Sequence, residues 1–176
     1  MSNEHQMNGI YLTCWKEGAM ESPLISIIIA EYNGKDKLKY TLQNFAFQSF
    51  KNFEIIIADD GSKQKYDDIV KRYIPYFHHP VSKVWHEDTG FRKDRILNRA
   101  IFRSKTDKII IIDNDCIPHY RFVENHYKKL EQREVLNVGR RVFIDPSILK
   151  KFKEDELIHF NFFSYWYIVF QEKQQR

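Results

Sequence analysis

The sequence predicts an α/β fold, with a mostly parallel central sheet flanked by helices. Three observations carry that prediction. First, the runs LISIIIA at 24–30, FEIIIA at 53–58 and KIIII at 108–112 are continuously apolar and β-branched, which suits strands buried on both faces of a parallel sheet. Second, the intervening segments place apolar residues at helical spacing, so strands alternate with helices as in βαβ units. Third, all three runs stop in polar loop chemistry: Glu31-Tyr32-Asn33-Gly34, Asp59-Asp60-Gly61-Ser62 and Asp113-Asn114-Asp115. Open parallel sheets bind ligands beyond the carboxyl ends of their strands.

Taken in order, residues 1–22 read as an irregular leader. Pro23 opens the first strand. Residues 35–49 form a helix, with Leu38, Leu42 and Phe45 as its apolar stripe. The second strand follows at 53–58, then a short helix at 66–73 with Ile69 and Tyr73 on one side. Residues 75–80 form a loop carrying His78 and His79, a pair with no third zinc ligand nearby in sequence. A short third strand is expected at 84–86, and Gly90 marks a turn. The helix at 94–103 turns Ile96, Leu97, Ala100 and Ile101 inward and leaves Arg92, Lys93, Arg95, Arg99 and Arg103 on a basic face. After the strand at 109–112, Pro118 forbids further ladder pairing. Residues 120–131 form a helix through Val123, Tyr127 and Leu130. Residues 135–144 hold a strand or hairpin around Gly139, and Asp145-Pro146 starts a helix.

The chain has 176 residues, 43% hydrophobic and 15% aromatic, enough for one domain with a real core and contrary to a disordered body. A net charge of +4 and a pI of about 8.9 suit anionic ligands or an anionic membrane surface. The excess is too small and scattered for a nucleic-acid partner. Cys14 and Cys116 make neither a disulfide framework nor a metal-type spacing, which fits a reducing compartment. The N-terminus lacks the pattern of a secretory signal, and no run reaches the roughly 20 apolar residues of a spanning helix. The expected location is cytoplasmic, with association at the inner membrane face through the aromatic tail 157–170 as an option. That tail reads rather as a core or dimer-contact segment, and as a dimer contact it would make the chain a homo-oligomer.

If the strands are parallel neighbours, their three polar tips share one edge. Asp113 and Asp115, separated by one residue, can reach one hard cation together. Clustered carboxylates need positive charge nearby, or some take up protons. Each feature alone also has a plain reading. Asp113 can cap the next helix, Asp59 to Ser62 can be a simple turn, Tyr32 can be packing, and an arginine-lined helix face is usually solvated. Cys116 can be a metal ligand or a small buried filler.

Four motifs in order, ISIIIAEYNG, EIIIADDGS, GFRKDRILNRAI and IIIIDNDCIP, closely resemble the family 2 glycosyltransferases of the GT-A fold over roughly residues 24–145. The resemblance implies a GT-A-like nucleotide-sugar-binding domain at 23–145, followed by a C-terminal helix and aromatic-rich tail at 146–176. It implies that Ala30, Glu31, Tyr32 and Asn33 pack around base and ribose; the family commonly has proline at the position of Ala30. It implies that Asp59 and Asp60 read the uracil edge and ribose, that Arg92, Arg95 and Asn98 contact the nucleotide, and that Asn114 lies beside it. Asp113 would sit nearer the ribose and Asp115 on a Mn2+ or Mg2+ ion, with Asp113 assisting. The implied reaction moves a sugar, with inversion, from a nucleotide-diphosphate sugar such as a UDP-sugar to a hydroxyl of a glycan or lipid-linked acceptor. Surface polysaccharide or lipopolysaccharide synthesis is the implied setting.

The family's general base comes from a late segment of glycine-x-glutamate-aspartate type. No matching segment is present, and the late acids Glu154, Asp155 and Glu156 stand in a different context, so no catalytic base is assigned. The resemblance therefore implies a chain without the C-terminal acceptor-binding part. The alternative function is a non-catalytic nucleotide-sugar-binding domain that needs a partner or is inactive. A phosphoacceptor receiver domain and a sugar-nucleotide pyrophosphorylase fit less well. The first needs a lone acceptor aspartate, the second a glycine-rich arginine loop after the first strand.

Overall fold

The computed structural model describes residues 10–11, 21–132, 136–139, 141 and 143. Its elements run β1 (Ile10–Tyr11), β2 (Ile25–Glu31), α1 (Lys35–Ala46), β3 (Phe53–Asp59) and α2 (Asp67–Tyr73). A 3-10 turn at Ile74–Tyr76 leads to β4 (Val81–Trp85), α3 (Lys93–Arg103), β5 (Ile109–Asp113) and α4 (Phe122–Gln132). The sheet order is β1-β4-β3-β2-β5. β4, β3, β2 and β5 are parallel, and β1 joins β4 antiparallel. The expected mostly parallel, helix-flanked α/β sheet is what forms.

Strand alternation divides the sheet between two apolar layers. Ile25, Ile27 and Ile29 of β2 and Phe53, Ile55 and Ile57 of β3 pack on Leu38, Leu42 and Phe45 of α1, on Ile69, Val70 and Tyr73 around α2, and on Val123 of α4. Ile28, Ile56, Ala58 and Val84 face the opposite way, onto Ile96 and Ala100 of α3. The central isoleucines are fully buried, each such side chain stabilising by about 1.5–3 kcal/mol relative to exposure.

Register then decides what sits at the rim. Glu31 pairs with Asp59, Ala30 with Asp113 and Asp59 with Trp85. All four parallel strands therefore end on one edge, and the acidic tips of β2, β3 and β5 are neighbours.

Several elements depart from expectation. Residues 10–11 form a strand, so the leader is not irregular throughout. β4 begins at Val81, not at 84; Ser82 and Lys83 hide it from a hydrophobic scan, yet Val81 is fully buried and pairs with Ile55. α1 stops at Ala46. Beyond it, Gln48 donates Nε2–H to the His119 carbonyl at 2.9 Å and accepts the Val123 N–H at 3.0 Å, tying α1 to α4. On α3, Ile96 and Ala100 are buried, but Ile101 is exposed.

β5 is not buried on both faces. It pairs with β2 alone among the described strands, and Ile111 is 50% exposed. Residues 136–139 carry no strand. The expected helix start at Asp145-Pro146, the late acids Glu154, Asp155 and Glu156, and the tail 157–170 lie outside the described residues.

Candidate functional site

The alternation that divides the core also divides the acidic tips. Glu31 and Asp59 continue the face of α1 and α2. Ala30, Asp60 and Asp113 continue the face of α3, and α3 begins beside them.

On the first face both carboxylates are consumed by the fold. Asp59 is fully buried. It accepts the Ser62 N–H at 2.7 Å and the Tyr66 hydroxyl at 2.7 Å, and it pairs with Lys83 Nζ at 2.9 Å. Glu31, 2% exposed, accepts the Gly34 N–H at 2.7 Å and the Asn114 amide at 2.6 Å. Asn114 also donates its backbone N–H to the Ala30 carbonyl at 3.1 Å, so the tips of β2 and β5 are clipped together. A Cβ on Gly34 would lie 2.1 Å from the Asn114 amide nitrogen, so glycine there permits the clip.

Asn33, in the left-handed region at φ 48°, fastens β2 to β3. Its N–H donates to Ser62 Oγ, and its Oδ1 accepts the Lys63 N–H, both at 2.9 Å. Gly61 has φ 93°, and a Cβ there would come within 2.6 Å of the Asp88 backbone.

Burial pushes the Glu31 carboxyl above its ordinary value of 4.5, while the hydrogen bonds from Asn114 and Gly34 act the other way. A raised carboxyl favours the fold when protonated. Its contribution is complete below 4.5 and is lost as pH rises through the raised value. Glu124 works in the opposite sense at acid pH, held down to about 2 by Arg121, Lys128 and Ser49. Comparison with Glu31→Gln isolates Glu31. The wild type is expected to lose stability relative to that variant as pH rises above 4.5, as read from urea midpoints.

On the second face lies a cleft of about 370 Å3. It is lined by Ala30, Glu31, Tyr32, Ala58, Asp60, Gly90, Phe91, Lys93, Ile96, Asp113, Asn114 and Asp115. Asp60 is clamped at both oxygens: Oδ1 meets His86 Nε2 at 2.6 Å, and Oδ2 accepts the Arg92 N–H at 3.1 Å. Tyr32 is half-exposed and donates its hydroxyl to Asp88 at 3.2 Å. Phe91 stands 86% exposed at the wall.

Asp113 pairs with Lys93 through Oδ1 and with Arg141 Nη1 at 3.2 Å through Oδ2. Asp115 has a half-exposed side chain, with Lys37 Nζ 3.9 Å away. Burial, followed by the Asp115 charge, pushes the Cys116 thiol above its ordinary value. With no metal bound it therefore stays protonated at neutral pH, half-buried beside the acidic tip.

The structure thus brings Ala30, Glu31, Tyr32, Asp60, Asp113, Asn114 and Asp115 together around the cleft. Asn33 and Asp59 support it from behind. Arg92 contributes its backbone, whereas Arg95 and Asn98 are exposed residues of α3 outside the cleft lining. Lys93, Phe91 and His86 were not singled out as site residues from the sequence.

No group of three metal-ligating side chains occurs among the described residues. Two carboxylates on a cleft wall nevertheless suit a hard divalent cation. Mg2+ in particular takes one or two protein carboxylates and fills its remaining positions with substrate phosphates and water.

Residues 26–176 match the sequence profile of glycosyl transferase family 2. Curated relatives include chondroitin synthase of Escherichia coli, 29% identical over 125 residues, or 70% of this chain and 18% of that protein. An uncharacterized glycosyltransferase of Methanocaldococcus jannaschii is 28% identical over 79% of this chain and 49% of its own length. The chain thus spans half or less of the length of these relatives. Among solved structures, S. aureus TarS 1-349 superposes with a TM-score of 0.53 at 21% identity, over 61% of this chain and 32% of that one. The same TarS portion in complex with UDP-GlcNAc gives 0.52 at 23% identity, over 61% and 31%. These superpositions show a shared GT-A-like fold. With the profile covering most of its length, the chain belongs to glycosyl transferase family 2.

Proposed function

We propose that the cleft takes a nucleotide-diphosphate sugar, a UDP-sugar in the first instance, for transfer of the sugar with inversion to a hydroxyl of a glycan or lipid-linked acceptor. The observation that carries this reading is the convergence of Asp60, Asp113 and Asp115 with Lys93 in one cleft at the carboxyl edge of the sheet. Synthase relatives make surface polysaccharide synthesis the setting we favour.

Asp60 accepts a hydrogen bond from the uracil edge or ribose. Its clamp by His86 and the Arg92 N–H fixes the carboxylate before the ligand arrives. Tyr32 and Phe91 offer aromatic surface to base or sugar. Asp115, with Asp113, would hold Mn2+ or Mg2+, which when bound neutralises charge on the departing diphosphate. Cationic side chains at the tip add to that stabilisation. The base that accepts the acceptor's proton is unassigned. Contact with a membrane through residues 157–170, at the inner face, and self-association remain part of the proposal. No helix of the described residues is long and apolar enough to cross a membrane.

Calorimetry with UDP, with and without Mn2+, tests the reading, followed by turnover of UDP-sugars. Mn2+ is expected to tighten UDP binding. Asp115→Ala is expected to remove that enhancement and to lower transfer by about 100-fold or more, the scale of losing one group that stabilises developing charge. The chain spans half or less of these relatives' length, which favours keeping a second reading: a non-catalytic donor-binding domain that needs a partner or is inactive. UDP binding without turnover in the presence of acceptors identifies that case. Failure to bind any nucleoside diphosphate ends both readings.

A further inference from the structure

We propose that Lys93 is a diphosphate-binding cation of the cleft, and that its pairing with Asp113 in the donor-free protein keeps that carboxylate from a divalent ion until a diphosphate draws the lysine away. The proposal rests on the donor-binding reading above and adds an order to it: the nucleotide diphosphate prepares the cation site.

The geometry is specific. Both oxygens of Asp113 are engaged, one by Lys93 Nζ and the other by Arg141 Nη1 at 3.2 Å. Lys37 Nζ stands 3.9 Å from Asp115. Each of the two carboxylates therefore has a cationic neighbour in the donor-free protein, and that neighbour competes with a divalent ion for the same oxygens. Lys93 and Asp113 are each about one third exposed, at 35% and 34%, so the pair can open without unpacking the core.

The lysine's position also fits the role. Lys93 is the first residue of α3, and it shares the inward stripe of that helix with Ile96 and Ala100. It lines the cleft with Ile96, whereas Arg95 and Arg99 do not. A flexible four-carbon stem allows the ammonium to move from carboxylate to phosphate oxygen. When it does, Asp113 Oδ1 loses its competing cation and becomes available to a metal, while Arg141 still holds Oδ2. Coupling of this kind is reciprocal: whatever factor UDP adds to metal affinity, the metal adds to UDP affinity.

The test is Mn2+ binding followed by electron paramagnetic resonance of free Mn2+, with and without saturating UDP, in wild type, Lys93→Met and Lys93→Arg. In wild type, UDP is expected to tighten Mn2+ binding about tenfold, within the usual range of coupling. Lys93→Met is expected to bind Mn2+ more tightly than wild type without UDP, to show a smaller UDP effect, and to bind UDP more weakly when metal is absent. Lys93→Arg keeps a cation on Asp113 and is expected to keep the weak nucleotide-free Mn2+ binding, whereas a mere packing change would alter both variants alike. Unchanged or weaker nucleotide-free Mn2+ binding in Lys93→Met overturns the role of the lysine, even if UDP and Mn2+ remain coupled. Absence of Mn2+ binding in wild type with UDP present overturns the metal reading itself, and this proposal with it.

Discussion

Asp59→Ala is expected to lower stability by about 3–5 kcal/mol, the scale of removing one member of a buried ion pair. The side chain is fully buried and serves three donors from three parts of the chain. Its loss removes the acceptor of the Tyr66 hydroxyl and the Ser62 N–H and the ion-pair partner of Lys83. Lys83 is 21% exposed and its ammonium lies 4.4 Å from the centre of the Tyr66 ring, so partial escape to water places the effect toward the lower end. A small domain has about 5–15 kcal/mol in total, so even that end is a large fraction. Asp59→Asn keeps an acceptor for Ser62 and Tyr66 and is expected to recover part of the loss. Urea denaturation followed by tryptophan fluorescence measures both, and a change below about 1 kcal/mol for the alanine variant would contradict the assignment, because an unsatisfied buried group alone costs that much.

The sequence carried the sheet and its acidic rim because their signals are local. β-branched runs ending in carboxylates are readable without knowing any contact. The division of labour within Asp59-Asp60 is different in kind. One partner of Asp59, the Ser62 N–H, lies in the turn itself, but Tyr66 and Lys83 lie 7 and 24 residues downstream, and nothing in the turn announces those two. Strand parity was the available clue: Asp59 continues Ile55 and Ile57, whereas Asp60 continues Ile56 and Ala58. Parity also separates Lys93 from the basic face with which it was grouped, since it falls three residues before Ile96 on the buried stripe. Ile111 misled in the opposite direction. A run of four isoleucines suits a central strand, but exposure depends on what covers the strand, and α3 packs over Ile28 and Ile56 instead. Lys83 similarly disguised β4, because hydropathy does not register its ion pair with Asp59.

Asp60→Ala separates recognition from folding. Asp60 is 6% exposed, yet it lines the cleft, and its two protein partners leave carboxylate lone pairs able to accept a further hydrogen bond. Loss of a charged acceptor for a nucleotide N–H or hydroxyl is expected to weaken UDP binding by about 1.5–3 kcal/mol, roughly 10- to 150-fold. Asp59 carries a structural load, so its variants should show weakened UDP binding only in proportion to their unfolding. His86 supplies the control that a simple packing defect cannot mimic. Its Nε2 holds Asp60 Oδ1 at 2.6 Å, so His86→Ala is expected to weaken UDP binding with little further effect in an Asp60→Ala background. His86→Gln, which can present an amide N–H to the same oxygen, is expected to restore part of the affinity. If Asp60→Ala binds UDP as wild type does while remaining folded, the carboxylate is a tie between β3 and the start of α3, and the nucleotide must be read from elsewhere in the cleft.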